Sequence, residues 1–256
     1  MLSEPAVGLQ LYTLRDAMEK DLVGTIHKVA EIGYSGVETA FFAEGVTLAE
    51  AASIINDAGL VVPSAHTEIP LGKHERSVLE LAEAFDTQRI IWHGWPQDPN
   101  YSTVDGMKRL ANIYNQANAI AQANGLQFGI HNHWWEFELQ NGRFPYQVLL
   151  EEMDESIFFE IDLYWAAVAG HDPTQIVIEL AGRAPLLHIK DGPAKPGMPM
   201  TAVGSGSLDL AEAIGAAEGL AEWLIVELDE CATDMMTAVA ESYEYLTGNG
   251  LAEGNV

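Results

Sequence analysis

Short apolar runs alternate along the chain with longer segments in which apolar positions recur every three or four residues. The runs are VGLQLY (7–12), GVETA (36–40), VVPSAH (61–66), RIIWHG (89–94), LQFGIHNH (126–133), FFEIDLYW (158–165), PLLHIKD (185–191) and WLIVELDE (223–230), and they read as strands. Between them DLVGTIHKVAEIG (21–33), TLAEAASIINDAG (47–59), TVDGMKRLANIYNQANAIAQANG (103–125) and SLDLAEAIGAAEG (207–219) have helical spacing and close on glycine, as helix C-termini often do. HDPTQ (171–175) and SLD (207–209) place Asp or Ser where a helix start is capped. The strand-to-strand period is roughly 32 residues, which divides the chain into eight βα units. Strands separated by helices run parallel, and eight such units close most simply into a (β/α)8 TIM barrel. The alternative, an open doubly wound sheet, needs a glycine-rich turn after an early strand; LQLYTLRDAMEK (9–20) has no glycine. Linkers are short and no low-complexity segment intervenes, so residues 1–256 are expected to form a single domain.

Composition narrows the function classes. Hydrophobic residues make up 48% of the chain, enough for a large core. Twelve Lys and Arg face 38 Asp and Glu, a formal charge of −26, and this argues against nucleic acid as a partner. No apolar stretch is long enough to cross a membrane and the N-terminus has no basic stretch followed by an apolar region. The expected setting is therefore the cytoplasm, with no membrane partner; whether copies assemble into a homo-oligomer is left open. The single cysteine, Cys231, rules out an internal disulfide and a cysteine zinc cluster.

The chemistry gathers where the strands finish, the end of a parallel barrel that carries active sites. Glu38, His66, His93, His131, His133, Asp162, His188, Lys190, Glu227 and Asp229 all stand there, including five of the eight histidines. Residues two apart on a strand share a face, which pairs His131 with His133, Glu160 with Asp162, His188 with Lys190 and Glu227 with Asp229. Imidazoles and carboxylates converging in one cavity are costly to desolvate unless a cation joins them. Asp162, His188, Glu227 and a residue of the fifth strand make a mixed nitrogen and oxygen set suited to manganese, cobalt, iron or zinc, better than to magnesium or calcium. Trp92, Trp95, Trp134, Trp135 and Trp165 stand at or just beyond strand ends, where indole rings either stack on sugar faces or plug the barrel mouth. The backbone of GSGS (204–207) either holds a phosphate or simply turns into the next helix.

In order, VGLQLYTLR, GVE, SAHTE, IIWHG, GIHNHWWEF, EIDLYWAAVAGHDP, PLLHIKDG, VGSGSLD and IVELDEC resemble the xylose isomerase-like TIM-barrel superfamily of sugar phosphate isomerases and epimerases, to which inosose dehydratase and endonuclease IV also belong. The resemblance spans nearly the whole chain. It implies a divalent metal held by Asp162, His188, Glu227 and a fifth-strand ligand. That ligand is usually a glutamate followed by asparagine; here His131 stands before Asn132, and Glu136 takes its place if the strand bulges. Epimerases of the superfamily use two glutamates on opposite substrate faces, and of these the chain keeps Glu227 alone. The His-x-His pattern is closer to inosose dehydratase and to lyases of 3-keto sugars, in which a histidine serves as base.

The expected function is a metal-dependent sugar isomerase or epimerase that removes a proton next to a carbonyl, with lyase or dehydratase chemistry on a keto-sugar or inosose as the alternative. Glu227 or His133 is the expected base, and Lys190 neutralises oxyanion charge. Glu38, His66, His93, Trp95, Trp135, Glu136 and Trp165 are expected to meet a small sugar or polyol, preferably non-phosphorylated. An endonuclease-like phosphodiesterase is opposed by the charge, and a non-catalytic sugar-binding barrel would lack bound metal.

Overall fold

A computed structural model describes residues 4–94 and 98–255. The strands are β1 (Ala6–Gln10), β2 (Gly36–Glu38), β3 (Ala65–His66), β4 (Arg89–Trp92), β5 (Gln127–His131), β6 (Phe158–Asp162), β7 (Leu186–Ile189) and β8 (Trp223–Val226). They form one parallel sheet in the order β2-β1-β8-β7-β6-β5-β4-β3. Between β2 and β3 the ring is completed only by isolated bridges, Gly36 to Val61 and Thr39 to Ala65, with Val37 N donating to Val61 O (2.9 Å) and His66 N to Thr39 O (2.7 Å). The result is the expected near-closed (β/α)8 barrel.

The helices are α1 (Arg15–Met18), α2 (Leu22–Ile32), α3 (Leu48–Asp57), α4 (Glu75–Ala84), α5 (Val104–Ala123), α6 (Pro145–Glu152), α7 (Leu163–Val168), α8 (Pro173–Leu180), α9 (Leu210–Ala216) and α10 (Met235–Gly248). Their starts follow the sequence: the side chains of Asp21, Thr47, Thr103, Asp209 and Asp234 each accept a backbone N–H of the first turn. Among the described residues no helix is long and apolar enough to cross a membrane.

All strands but β3 end earlier than the runs expected of them, and in β1 and β6 a polar side chain is the reason. Gln10 Oε1 accepts Tyr12 N (3.1 Å), turning Leu11–Leu14 into a 3-10 segment. Asp162 Oδ1 accepts Trp165 N (2.8 Å), so Leu163–Trp165 begin α7 instead of extending β6. Both runs were expected to continue as strand to Tyr12 and Trp165.

Below the strand ends the barrel interior is apolar. Ile91, Phe158, Leu186 and Ile225 cluster there, and Gly129 makes room, because a Cβ at that position would meet the Phe158 ring at 2.3 Å. Above this layer the interior turns polar.

Candidate active site

The lower polar layer consists of Glu38, Glu160, His66 and His188. Gln10 Nε2 donates to Glu38 Oε1 (2.6 Å) and the Ser64 hydroxyl donates to Glu38 Oε2. His188 Nε2 lies 2.8 Å from Glu38 Oε1 and 3.1 Å from Glu160 Oε2. His66 Nε2 lies 2.7 Å from Glu160 Oε2 and 3.1 Å from Glu38 Oε1. Burial alone would lower the His66 imidazole, but Glu38 and Glu160 overturn that and hold it up to about 10. Burial and the neighbouring Glu38 charge raise Glu160, while Glu38, despite its burial, is held well below the usual carboxylate range by His66 and His188.

The upper layer holds His131, Asp162, His188, Lys190 and Glu227. His131 turns Nδ1 toward Glu160 Oε2 (3.2 Å) and Nε2 toward Asp162 Oδ2 (3.9 Å). His188 turns Nδ1 to Glu227 Oε2 (2.9 Å). Each imidazole thus shows one nitrogen to the lower carboxylates and the other to the upper ones; His188 is hydrogen-bonded on both sides, the arrangement by which an outer carboxylate fixes the tautomer of a metal-binding histidine, whereas His131 Nδ1 has no hydrogen-bond partner. Lys190 Nζ stands 3.0 Å from Asp162 Oδ2, 2.7 Å from Glu227 Oε2 and 2.8 Å from Asp229 Oδ2. Burial raises Asp162 to about 6. Burial also opposes ionisation of Glu227, but Lys190 and His188 outweigh it and hold that carboxyl low.

His131, Asp162, His188 and Glu227 each offer one ligand atom, and these atoms lie within 4.8 Å of one another. A second set, His66, His131, Glu160 and His188, meets the same distance, and in each set one imidazole already bonds one carboxylate, His66 with Glu160 and His188 with Glu227. The first set offers two carboxylates to the second's one and so suits a divalent ion better. Its Asp162 Oδ2 meets Lys190 Nζ at 3.0 Å but accepts no other hydrogen bond, and Asp162 Oδ1 is occupied as the cap of α7. Asn132 fixes the pair of strands that carries His131 and Asp162: its Oδ1 accepts Asp162 N (2.9 Å) and its Nδ2 donates to Asp162 O (3.2 Å).

This centre opens on a cavity of about 680 Å³ whose polar end is lined by His66, His93, His131, His133, Lys190, Glu227 and Asp229. His133 stacks on Trp135 (4.1 Å between centroids, 11° between planes). Its backbone N–H donates to Glu136 Oε2 (2.9 Å). Burial, then Lys190, pushes the His133 imidazole well below its ordinary pKa, and burial lowers His93 to about 4. Burial lifts Glu136 to about 7.

The expected substrate contacts divide. His66 and His93 line the cavity, whereas Glu38 lies beneath the imidazoles. Trp135 and Glu136 are buried behind His133, and Trp165 packs against Trp134 (4.9 Å) with Lys190 Nζ 5.2 Å over its ring. None of the described tryptophans lines the cavity, and Trp95 lies outside the described residues. Glu136 accepts the His133 N–H on Oε2 while its Oε1 has no hydrogen-bond partner, and the clusters of possible ligand atoms among the described residues include His131 and not Glu136. The GSGS amides are occupied from within: Asp191 Oδ2 accepts Gly204 N (3.0 Å) and Gly206 N (2.9 Å).

Glu160 was absent from the expected site although it shares a face with Asp162. The i, i+2 spacing on β6 was the signal that could have found it.

The sequence pattern of xylose isomerase-like TIM barrels matches residues 26–247. The chain belongs to this family. Among curated proteins none matches it. Of solved structures, a sugar phosphate isomerase/epimerase from Parabacteroides distasonis is similar to this xylose isomerase-like barrel with a TM-score of 0.84 and 24% identity, over 97% of this chain and 100% of the other. A probable 3-DHS dehydratase from Bacillus anthracis gives 0.75 and 14%, over 94% and 98%. An L-ribulose 3-epimerase gives 0.71 and 18%, over 96% and 94%.

Proposed function

We propose that this barrel is a divalent-metal-dependent, cytoplasmic sugar isomerase or epimerase acting next to a carbonyl. The observation that carries the reading is the buried set His131, Asp162, His188 and Glu227, with ligand atoms within 4.8 Å of one another at one end of a cavity. Those four residues would hold the ion, preferably manganese, cobalt, zinc or iron given the mixed donors. When bound, such an ion supplies Lewis-acid polarisation of the substrate carbonyl and acidifies the adjacent C–H.

The remaining chemistry belongs to the side chains. His133 lines the cavity with its ring fixed against Trp135 and its backbone tied to Glu136, so it is placed to take the proton as a neutral imidazole. Lys190 offsets negative charge growing on a substrate oxygen beside Glu227. His66 and His93 face the substrate hydroxyls from the same cavity. Glu38 and Glu160 orient His66 and His188 from below. Glu227 serves as base in place of His133 if it is not committed to the ion.

A non-phosphorylated substrate is supported by Asp191, whose carboxylate fills the glycine-rich nest that would otherwise take phosphate. Return of the proton gives isomerisation or epimerisation, and loss of a β-substituent gives elimination. The second outcome is supported by the imidazole His131 at the position where the family's epimerases carry glutamate.

The deciding experiment is NMR of keto-sugars with the protein in deuterated water with manganese. Deuterium is expected at the carbon next to the carbonyl, and product identity separates reprotonation from elimination. Absence of exchange across ketoses, 3-keto-glycosides and inososes contradicts the proposal.

A further inference from the structure

The cavity has two unlike ends. Opposite the imidazoles and Lys190 its wall is Tyr12, Phe41, Leu48, Val78 and Leu81. This end lies over the weakly paired β2–β3 seam, with α4 contributing Val78 and Leu81 from one face. Of its polar groups, the Thr67 hydroxyl donates to Glu68 O (3.0 Å) and the Ser77 hydroxyl to His74 O (3.0 Å), which leaves the exposed Glu68 carboxylate and the Tyr12 hydroxyl among apolar neighbours. A sugar ring placed against these apolar side chains would lose water from most of its hydroxyls without replacement.

Phe41 is 57% exposed although it stands on this wall. Its ring meets Tyr12 edge-on at 5.8 Å. Arg15 holds Tyr12 in place, its guanidinium 4.2 Å over the ring and its Nη1 donating to Tyr12 O (2.9 Å). Arg15 Nη2 donates to Asp229 O (2.8 Å), and Asp229 binds Lys190. The aromatic wall is therefore rigidly continuous with the polar centre. At about 680 Å³ the cavity is also several times larger than one sugar ring and falls within the roughly 300–1,000 Å³ of sites for drug-sized ligands.

We propose that Tyr12, Phe41, Leu48, Val78 and Leu81 form a subsite for an aromatic substituent carried by the sugar, so that the ligand class is an aryl glycoside, reacting in its ring-ketone form, rather than a free monosaccharide. This rests on the reading above that the sugar sits at the His131–Glu227 end. Flat apolar rings suit the Tyr12–Phe41 pair through edge and face contacts, and the hydroxyl-bearing ring stays at the imidazoles.

The test is calorimetric binding of methyl glucoside, 2-naphthyl glucoside and 2-naphthol to the manganese-loaded protein, to Phe41→Ala/Leu81→Gln and to Asp162→Asn. Phe41 is largely exposed, so its truncation spares the fold, and circular dichroism checks the double variant. The naphthyl glucoside is expected to bind about tenfold tighter than the methyl glucoside, with the advantage reduced to about twofold in Phe41→Ala/Leu81→Gln. Naphthol is expected to bind wild type and Asp162→Asn alike. Equal affinity of the two glucosides, no binding of the naphthyl compound, or an advantage that survives the double variant overturns the subsite. Retained naphthol binding with no contribution from the sugar supports the subsite and instead contradicts the assignment of the sugar to the imidazole end.

Discussion

Lys190 stands within 3.0 Å of three carboxylates, those of Asp162, Glu227 and Asp229. Removing one member of a buried ion cluster strands the others, so Lys190→Met is expected to cost about 3–5 kcal/mol in urea unfolding of metal-free protein; manganese should restore part of it. Glu136 gives a pH signature. Its folded pKa is raised to about 7 by burial, so between the ordinary carboxylate range and pH 7 the unfolded chain loses a proton that the folded one keeps. Stability contributed by this group is full below that window and falls as pH rises through it, by at most about 1.4 kcal/mol per pH unit. Glu136→Gln should therefore gain stability relative to wild type between about pH 5 and pH 7, measured by denaturant midpoints at each pH. At this scale the strand-end residues Asp162, His188 and Glu227 were legible because a parallel barrel sends such ends to one place. The role of Glu38 was not, because sequence position gives depth along a strand poorly: β2 is only three residues long and Glu38 ends it below the cavity.

At the scale of elements, the barrel is weakest where β2 and β3 meet through isolated bridges. Amides of Val37 and His66 are expected to exchange hydrogen faster than those within the β5–β6–β7 ladders, as read by NMR; protection equal to that of Ile161 would contradict this. Gly129 has the opposite character. Its missing Cβ lets Phe158 cross the interior, so Gly129→Val should destabilise by about 1–3 kcal/mol through overpacking, visible as a lowered melting temperature. Element order and parallel direction were legible from periodicity, and the helix starts at HDPTQ and SLD from Asp172 and Asp209, whose side chains accept first-turn N–H groups. Strand ends were placed too late in every strand but β3, and at Gln10 and Asp162 the cause is a side chain that captures a nearby backbone N–H. Such local hydrogen bonds compete with the ladder without changing the apolar pattern.

For the molecule as a whole, the charge of −26 implies mutual repulsion that salt screens, the Debye length falling from about 10 Å at 0.1 M to about 3 Å at 1 M. The melting temperature should rise over that range, and a steady fall would mean that surface ion pairs outweigh the repulsion. The cluster of imidazoles and carboxylates concentrates part of this charge around one place suited to a cation. The most direct measurement is metal analysis with thermal melting after chelator treatment and reloading with manganese. One ion per chain is expected, with about 2.7 kcal/mol of stabilisation at a hundredfold excess over the dissociation constant, both lost in Asp162→Asn/His188→Gln. Absence of bound ion with an unchanged melting temperature, or full retention of the ion by that variant, would contradict the metal centre on which the proposed chemistry depends.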